Sequence, residues 1–517
     1  MHWADVIAKD LAEKYSEHRI ATGITPSGPI HVGNMREILT ADFIRKALQD
    51  IGEKAEVIFV GDTIDPLRRR YPFLPDEYEK YVKMPLYKIP CPCGGHKNYA
   101  EHYLEPFISS LKDLGVQMKV VLTHEMYANG MYADAVDKAM KNEEKIANIL
   151  EGVSSRKLPE KWHPYAVRCE SCGRIGDAEI IDYTFPKVHY RCSCGYEGQV
   201  DVRRDEGKLL WRIDWPARWS ILGITCEPFG KDHATSGGSY DTGKRICEEV
   251  FGYSAPYPVV YEWVQLKGKG AMSASKGIVF TIHDALNIVE PEVLRFMIAR
   301  VQPSKHIDFD PGLPILDIVH EYDECEKYYF GLSDRKIDKD NVEDYRRAYE
   351  LSCIGYPVYK KKVPYRHLVN IVQIRDDIQG IKEILNRCGM GDADDDALRD
   401  RIERVKNWVE KHAPERLKFS ILPSLPQLDL STEERNALCC MVNLLENIPW
   451  KADKIHSLVY ECASRAGVEA RSLFSIIYSV FLGKDYGPRL GYFLSYLGRE
   501  FVVSRIREAV GGSNECN

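Results

Sequence analysis

The chain has 517 residues, of which 44% are hydrophobic and 28% charged, and its formal net charge is −7. This length exceeds what one hydrophobic core organises, so about two to four domains are expected. The composition is that of a soluble globular protein, and the negative charge excludes a polycation that binds nucleic acid over its whole surface. The first residues, MHWADVIAKDLAEKY, lack a signal-peptide core and predict the opening helix of a cytoplasmic protein, and no apolar run could cross a bilayer.

The first half of the chain alternates between predicted strands and helices. RIATGI is a short apolar run, and the segment after it repeats apolar residues at helical spacing from Ile38 to Leu48. EVIFVGD and VQMKVVLT, on either side of the helical segment AEHYLEPFISSLKDLG, are predicted strands. This order predicts an α/β domain with a parallel sheet and right-handed crossovers.

Changes in composition divide the rest of the chain into predicted domains. A stretch rich in Cys, Gly, Pro and aromatic residues predicts a small insertion, after which the α/β pattern resumes. From about residue 285 the pattern is helical, and beyond about residue 360 no strand pattern remains. Ser431 and Glu434 form a capping box at the start of one predicted helix. The predicted parts are two halves of the α/β domain (1–152 and 207–284), the insertion (153–206), a helical connector (285–360) and an all-helical domain (361–517).

Six of the fifteen cysteines fall in tight clusters, which in a reducing compartment suggest metal before disulfides. A C-x2-C pair and a C-x-C pair are nineteen residues apart, and four thiolates suit a tetrahedral structural zinc ion. These ligands are Cys169, Cys172, Cys192 and Cys194, and free thiols are the alternative. A less regular set is a candidate for a second zinc site, with a bare loop as the alternative: Cys91, Cys93, His96 and His102.

The turn TPSGPIHVGN, residues 25–34, follows the first predicted strand and opens the next helix. In a parallel sheet, ligands bind at the carboxyl ends of strands, and a helix start offers backbone N–H groups to an anion. Gly28 and Gly33 would let a phosphate or a flat ring approach the backbone, while His31 and Asn34 could donate to phosphate oxygens. The motif H-x-G-N is weak by itself, and a turn with a capping Asn is the alternative.

A second segment, LKGKGAMSASKG at residues 266–277, follows the last α/β strand and is rich in Gly, Ser and Lys. Its lysines and the hydroxyls of Ser273 and Ser275 could stabilise charge on a triphosphate and on a pyrophosphate leaving group. A flexible basic surface loop is the alternative for this segment taken alone.

Together the two motifs resemble the HIGH and KMSKS signatures of class I aminoacyl-tRNA synthetases, with HVGN as the first and AMSAS plus Lys276 as the second. Further blocks between residues 23 and 500 resemble the class I lysyl-tRNA synthetases in particular. They are GITPSGPIHVGNMRE, YAEH, RWS, EPFGKDH, SYDTGK, MSASKG and GPRLGYFLSYLGRE. The resemblance implies a Rossmann-type catalytic domain split by the zinc-binding insertion, then the connector and an all-α anticodon-binding domain.

The resemblance also implies a reaction and its residues. Lysine is activated with ATP and Mg2+ to lysyl-adenylate and is then transferred to the terminal adenosine of tRNA(Lys). The implied catalytic residues are His31, Asn34, Ser273, Ser275 and Lys276. The implied ATP-binding residues are these five together with Pro26, Ser27, Gly28, Gly33 and Met272. The implied lysine-binding residues are Gly23, Thr25, Glu37, Trp219, Asp232, His233 and Tyr261. Asp62 and Asp65, which follow the second predicted strand, are further candidates, and a turn residue is the alternative for Asp62.

One position departs from the family pattern, because Ala271 stands where the family usually has Lys. Lys269 or Lys276 is expected to compensate. The sequence leaves three alternative functions open besides that of a class I lysyl-tRNA synthetase. A glutamyl-type synthetase should have arginines where Glu37 and Asp232 stand. A tRNA-binding module without catalysis is favoured only by Ala271, and a zinc-containing nucleic-acid-binding protein leaves both phosphate motifs unexplained.

Overall fold

A computed structural model of the chain describes residues 1–154, 157–266, 279–333 and 342–511. The chain forms two compact units. The first contains the described residues of Met1–Leu286, Pro291–Phe309 and Asp334–Pro357, and the second contains those of Asn287–Glu290, Asp310–Ser333 and Val358–Asn517. The finer domain boundaries given above stay a prediction.

All the strands of the described residues belong to the first unit. They are β1 (His18–Ile24), β2 (Ala55–Gly61), β3 (Lys119–Leu122), β4 (Tyr165–Val167), β5 (Ala178–Thr184), β6 (Lys187–Cys192), β7 (Glu197–Asp201), β8 (Gly207–Leu209), β9 (Cys226–Gly230), β10 (Tyr257–Tyr261), β11 (Val264–Leu266) and β12 (Ile307–Phe309). The central sheet has the order β10-β9-β1-β2-β3, and every neighbouring pair is parallel, which confirms the predicted fold. The strand order reverses between β1 and β9, and an open α/β sheet binds its ligand at the carboxyl ends of such strands.

The helices alternate with these strands and then dominate the second unit. Those that precede residue 353 are α1 (Trp3–Lys14), α2 (Met35–Asp50), α3 (Tyr99–Asp113), α4 (Thr123–Ala128), α5 (Ala133–Lys141), α6 (Glu143–Ser154), α7 (Trp211–Leu222), α8 (Ser239–Ile246), α9 (Ile282–Leu286), α10 (Pro291–Ala299), α11 (Pro314–Tyr329) and α12 (Val342–Ser352). Those that follow are α13 (Tyr365–Ile371), α14 (Ile378–Arg387), α15 (Asp395–Lys411), α16 (Thr432–Leu445), α17 (Ala452–Ala466), α18 (Ala470–Leu482), α19 (Leu490–Leu497) and α20 (Arg499–Ala509). None of the described helices has both the length and the hydropathy required to cross a membrane.

The cysteine-rich insertion folds as a small antiparallel sheet, β5-β6-β7, and the antiparallel pair β4-β8 closes its base. Its core is not independent. The buried side chains of Val188, Tyr190 and Val200 belong to the same apolar cluster as Ile146 and Ile149 of α6. The insertion is therefore anchored by hydrophobic packing as well as by its cysteines.

Helices and short helical turns make up the regular secondary structure of the second unit's described residues, as the sequence predicts. The capping box at the start of α16 is confirmed, since the N–H of Ser431 donates to Glu434 (3.0 Å) and the N–H of Glu434 donates to Oγ of Ser431 (3.1 Å). The short strand β12 interrupts the stretch predicted to be helical from residue 285 onward. Ile307 and Phe309 are buried there because β12 pairs with β11, and a three-residue strand gives no pattern of its own.

Candidate active site and metal centres

The turn after β1 presents a bare backbone at the start of α2. The hydroxyl of Tyr99 donates to the carbonyl of Ser27 (2.8 Å) and fixes the turn from one side. A Cβ atom on Gly33 would lie 2.9 Å from Nδ1 of His31, so any larger residue there would displace the His31 ring. The turn leads into the N-terminus of α2, the kind of position at which proteins bind phosphate.

His31 and Asn34 lie at the entrance to α2 and cap each other. The N–H of His31 donates to Oδ1 of Asn34 (3.3 Å), and the N–H of Asn34 donates to the carbonyl of His31 (3.0 Å). Burial lowers the pKa of His31 to about 4, so the ring is neutral at pH 7 and offers hydrogen bonding rather than charge. Its buried Nδ1 has no hydrogen-bond partner among the described residues.

Glu37 joins three of the predicted lysine-binding positions. Its Oε1 accepts a hydrogen bond from the N–H of Gly23 (2.8 Å), and its Oε2 accepts one from the hydroxyl of Tyr261 (2.7 Å). Burial raises the pKa of Glu37 to about 8, and the negative charges of Glu227 and Asp232 add to the rise. At pH 7 this carboxyl, at the carboxyl ends of β1 and β10, is therefore largely protonated, and a cation bound beside it would favour the ionised form.

The other predicted pocket residues lie around an aromatic cluster after β9. The ring of His233 is 5.5 Å from that of Trp215, and Nε2 of His233 is 3.5 Å from Asp232. Trp219 is completely buried in the core, where its indole N–H donates to Glu227. Trp219 is thus placed behind Glu227 rather than at an open surface.

Glu227 was not singled out from the sequence, although a signal for it exists. It is the charged residue within the buried strand CEPFG, and both Trp215 (2.9 Å) and Trp219 donate to its carboxylate. A carboxylate that is buried and hydrogen-bonded only to indoles keeps its negative charge at a cost, and burial raises its pKa. It adds a second acidic group near Glu37.

A network of buried charges lies under the turn. Arg218 forms ion pairs with Asp62 and with Asp214, the latter at 2.8 Å, and Lys208 forms an ion pair with Asp65. Asp65 in turn accepts a hydrogen bond from the hydroxyl of Thr25 (2.9 Å), a predicted lysine-binding residue. All of these charged groups are nearly inaccessible to solvent.

The network adds negative charge to this side of the pocket, because three carboxylates face two cations. Burial alone would lower the pKa of Lys208, but the carboxylates of Asp65, Asp214 and Asp62 outweigh it and hold that pKa above the usual value. A Cβ atom on Gly23 would lie 3.6 Å from Nη1 of Arg218, which brings the network directly behind the Glu37 contact. Lys208, Asp214 and Arg218 were missed from the sequence, where each resembles an ordinary surface charge.

The second phosphate motif lies outside the described residues. This applies to Lys269, Ala271, Met272, Ser273, Ser275 and Lys276. The described chain on either side of it lies against the first motif, since a Cβ atom on Gly33 would be 3.3 Å from the carbonyl oxygen of Val264 in β11 and the N–H of Val32 donates to the carbonyl of Phe280 (2.7 Å). The two motifs are therefore neighbours at the points where the second one begins and ends.

The four cysteines of the insertion converge on one point. Sγ of Cys169 is 3.7 Å from that of Cys194, and Sγ of Cys172 is 3.8 Å from that of Cys192. Four sulfurs around zinc at about 2.3 Å are separated by roughly 3.8 Å in a tetrahedron, whereas a disulfide would need about 2.05 Å. The spacing fits a metal and excludes two disulfides.

The second set shows the same fit with mixed ligands. Nδ1 of His102 lies 3.5 Å and 3.3 Å from the sulfurs of Cys91 and Cys93, and 3.4 Å from Nδ1 of His96. Tetrahedral zinc with sulfur at about 2.3 Å and nitrogen at about 2.0 Å separates such ligands by roughly 3.3–3.8 Å. Nε2 of His96 is 3.6 Å from the carboxylate of Glu105, the kind of outer partner that orients a metal-binding histidine.

Comparison with known proteins identifies the family. The model of the tRNA synthetases class I (K) matches residues 1–354, which is more than half of the chain. The chain belongs to the class I tRNA synthetases. An anticodon binding domain matches residues 396–510, within the helical second unit.

Full-length relatives of this synthetase support the same family. A lysine–tRNA ligase of Archaeoglobus fulgidus is 47% identical over 514 residues, covering 99% of this chain and 100% of the relative. One of Picrophilus torridus is 42% identical over 506 residues, covering 98% of each chain. Among solved structures, a glutamate tRNA ligase from Elizabethkingia meningosepticum covers 96% of this chain and 99% of its own, with 13% identity and a TM-score of 0.45. So distant a likeness carries no argument about the substrate.

Proposed function

We propose that this synthetase is a lysine–tRNA ligase, which activates lysine with ATP and transfers it to the terminal adenosine of tRNA(Lys). The observation that carries the proposal is the carboxylate of Glu37, held by Gly23 and Tyr261 at the end of the central sheet. Glu227, Asp232 and the network below it make this an acidic pocket, which suits an ammonium group. The relatives that cover the whole chain carry the same function in their names.

In the first step a carboxylate oxygen of lysine attacks the α-phosphorus of ATP, and pyrophosphate leaves. The chain's part is to align these groups and to stabilise phosphate charge. His31, Asn34 and the bare turn would receive the phosphates, with Pro26, Ser27 and Gly28 beside them. Ser273, Ser275 and Lys276 are proposed to act from the other side, and Mg2+ bound to the triphosphate would offset its charge. In the second step a hydroxyl of the terminal ribose attacks the lysyl carbonyl and AMP leaves.

The charge of the pocket argues against a glutamyl-type synthetase, because the pocket is acidic and glutamate has an anionic side chain. An amino acid with an anionic side chain would meet Glu37, Glu227 and Asp232 instead of arginines, and unpaired like charges at short range disfavour binding. A protein that binds tRNA without catalysis has no use for the acidic pocket. These contrasts favour lysine over the alternatives.

The experiment that tests the proposal is charging of tRNA(Lys) transcripts with labelled lysine. A class I enzyme is expected to charge a transcript whose terminal adenosine lacks the 3′-hydroxyl and to leave uncharged one that lacks the 2′-hydroxyl. Charging with labelled glutamate in place of lysine serves as the control. Loss of charging on both modified transcripts, or equal charging with glutamate, would contradict the proposal.

We further propose that both clusters of cysteine and histidine bind structural zinc, so that the purified protein contains about two zinc ions per chain. Cys172→Ser and Cys93→Ser should each remove about one ion, because three ligands hold zinc far more weakly than four. Cys388→Ser, a change at a free cysteine of the second unit, should leave the zinc content unchanged. Metal analysis by mass spectrometry measures all four proteins, and wild-type protein without zinc would contradict both sites.

A further inference from the structure

Arg36 lies on α2 between Asn34 of the first phosphate motif and Glu37 of the amino-acid pocket, and it is almost completely buried. Its Nε and Nη1 atoms have no hydrogen-bond partner among the described residues. Burial lowers the pKa of Arg36 to about 10, so the guanidinium is still charged at pH 7. Burying unpartnered donors of a charged group costs free energy, so a gain in stability does not explain this residue.

The hydrogen bonds that the Arg36 side chain makes within the described residues all go to one turn. Its Nη2 donates to the carbonyls of Gln302 (3.0 Å), Pro303 (3.1 Å) and Lys305 (2.8 Å). The turn lies between α10 and β12, and the N–H of Lys305 closes it by donating to the carbonyl of Gln302 (3.0 Å). One charged nitrogen therefore holds the backbone of the turn at three points, and hydrogen bonds from charged donors are the stronger kind.

The same turn holds the chain that follows β10. The carbonyl of Pro303 also accepts a hydrogen bond from the N–H of Glu262 (2.8 Å), and the N–H of Ile307 donates to the carbonyl of Trp263 (3.2 Å). Beyond this point β11 and β12 pair in parallel. The position of the turn therefore sets the position of the chain between β10 and β11.

The chain held in this way carries Tyr261, which is the last residue of β10 and directly precedes Glu262. The hydroxyl of Tyr261 donates to Oε2 of Glu37 (2.7 Å), and Glu37 is next to Arg36 on α2. The contacts thus form a closed path that leaves α2 at Arg36, passes through the turn to Glu262 and returns to α2 at Glu37. A second layer of hydrogen bonds of this kind holds a binding site within about 0.5 Å of its productive geometry.

We propose that Arg36 is a positioning residue for lysine binding, which acts by holding the hydroxyl of Tyr261 against Glu37. An ammonium group needs the ionised form of Glu37, and hydrogen bonds from the Tyr261 hydroxyl and from the N–H of Gly23 stabilise that form. Arg36 acts on the amino acid through these groups and not by contact. The proposal rests on the proposed function, because it assumes that lysine is the substrate that meets Glu37.

The test measures the KM for lysine and the kcat of ATP–pyrophosphate exchange in full-length variants. Arg36→Met should raise the KM for lysine about tenfold, which is the effect of losing one hydrogen bond to a charged group, and should leave the KM for ATP unchanged. A change that only destabilises the protein lowers the active fraction, and so the apparent kcat, without changing the KM. Arg36→Lys should recover most of the wild-type KM, because one ammonium has three donors for the three carbonyls.

A double variant tests whether Arg36 acts through the hydroxyl of Tyr261. Tyr261→Phe alone should also raise the KM for lysine about tenfold. Arg36→Met combined with Tyr261→Phe should have the KM of Tyr261→Phe, since the hydroxyl that Arg36 positions is already absent. Independent effects would instead multiply to about 100-fold, and that result would overturn the proposed path.

Arg45→Met is the matched control, because Arg45 is another buried arginine of α2 and none of its hydrogen bonds goes to the turn. Its partner Asp42 keeps an ion pair with Arg295 (2.7 Å). This variant should be less stable to urea than the wild type but should have the wild-type KM for lysine. Arg36→Gln replaces Arg36→Met if the latter does not fold. Its shorter amide reaches fewer carbonyls, so the KM for lysine should rise severalfold.

Two failures are distinguishable. If wild-type protein shows no exchange with lysine, the proposed function fails. If exchange with lysine is normal but Arg36→Met, or Arg36→Gln in its place, has the wild-type KM for lysine, Arg36 is not a positioning residue. An equal rise in this KM for Arg36→Met and Arg45→Met would also overturn the assignment.

Discussion

Replacing Glu37 with Gln is expected to raise the KM for lysine in ATP–pyrophosphate exchange about 100-fold or more. The change keeps the shape of the side chain and one of its two acceptor oxygens but removes the charge that meets an ammonium. Losing one partner of a desolvated, hydrogen-bonded charge pair costs about 2–5 kcal/mol. The KM for ATP should change little, because the phosphate-binding residues we propose, His31 and the turn, do not include Glu37.

The pH dependence of lysine binding gives a second readout of the same group. Burial raises the pKa of Glu37 to about 8, so the free enzyme holds this carboxyl largely protonated at pH 7. Binding an ammonium must expel that proton, and the KM for lysine should therefore fall about tenfold per pH unit as the pH rises from 6 to 8. In the Glu37→Gln variant the KM for lysine should not change with pH over this range. Glu13→Gln, at the exposed surface of α1, is the matched control. A Glu37→Gln enzyme with wild-type KM would remove Glu37 from the pocket.

Replacing Lys208 with Met is expected to destabilise the protein by about 3–5 kcal/mol and to slow exchange about 100-fold. The change leaves Asp65 buried without its cation, and breaking a buried pair by removing one partner has this cost. Asp65 also accepts a hydrogen bond from the hydroxyl of Thr25 (2.9 Å). Because Thr25 lies in the turn over the pocket, this turn is expected to shift when Asp65 moves. A displacement of about 1 Å at a reacting site is enough for such a loss of rate.

The double variant Lys208→Met with Asp65→Asn separates charge from packing. Removing both charges should recover part of the stability lost in Lys208→Met, since no unpaired carboxylate remains. Lys187→Met removes a half-exposed lysine from the buried Asp201, which keeps its ion pair with Arg203 at 2.7 Å, so this change should cost less than about 1 kcal/mol. Urea unfolding followed by circular dichroism measures all of these variants. A Lys208→Met protein with the wild-type unfolding midpoint would contradict the proposed importance of the network.

The features of this molecule that could be predicted are those whose structure is determined by residues close together in the sequence. The apolar runs of β1 and β2 predict a buried sheet, and the capping box of α16 lies within four residues. The clusters at Cys169 and Cys192 could be recognised because thiolate pairs at such spacing have few other uses. In each case a local pattern agrees with the tertiary structure.

The parts that could not be predicted depend on contacts between distant residues. Lys208 and Asp65 are 143 positions apart, and Arg218 and Asp62 are 156 apart. The aspartates were candidates because they follow the second predicted strand, but nothing local distinguishes Lys208 and Arg218 from surface charges. The same holds for Glu37 and Tyr261, 224 positions apart, which were selected by family resemblance and not by spacing. Aromatic character alone also could not show that Trp219 lies fully in the core.

Activation of lysine in this pocket is tested most directly by amino-acid-dependent ATP–pyrophosphate exchange. The purified full-length protein is supplied with each of the twenty standard amino acids in turn, with and without bulk tRNA. We expect exchange with lysine and background rates with glutamate and arginine. Exchange with glutamate or arginine at the rate expected for lysine, or no exchange with any amino acid in the presence of tRNA, would contradict it.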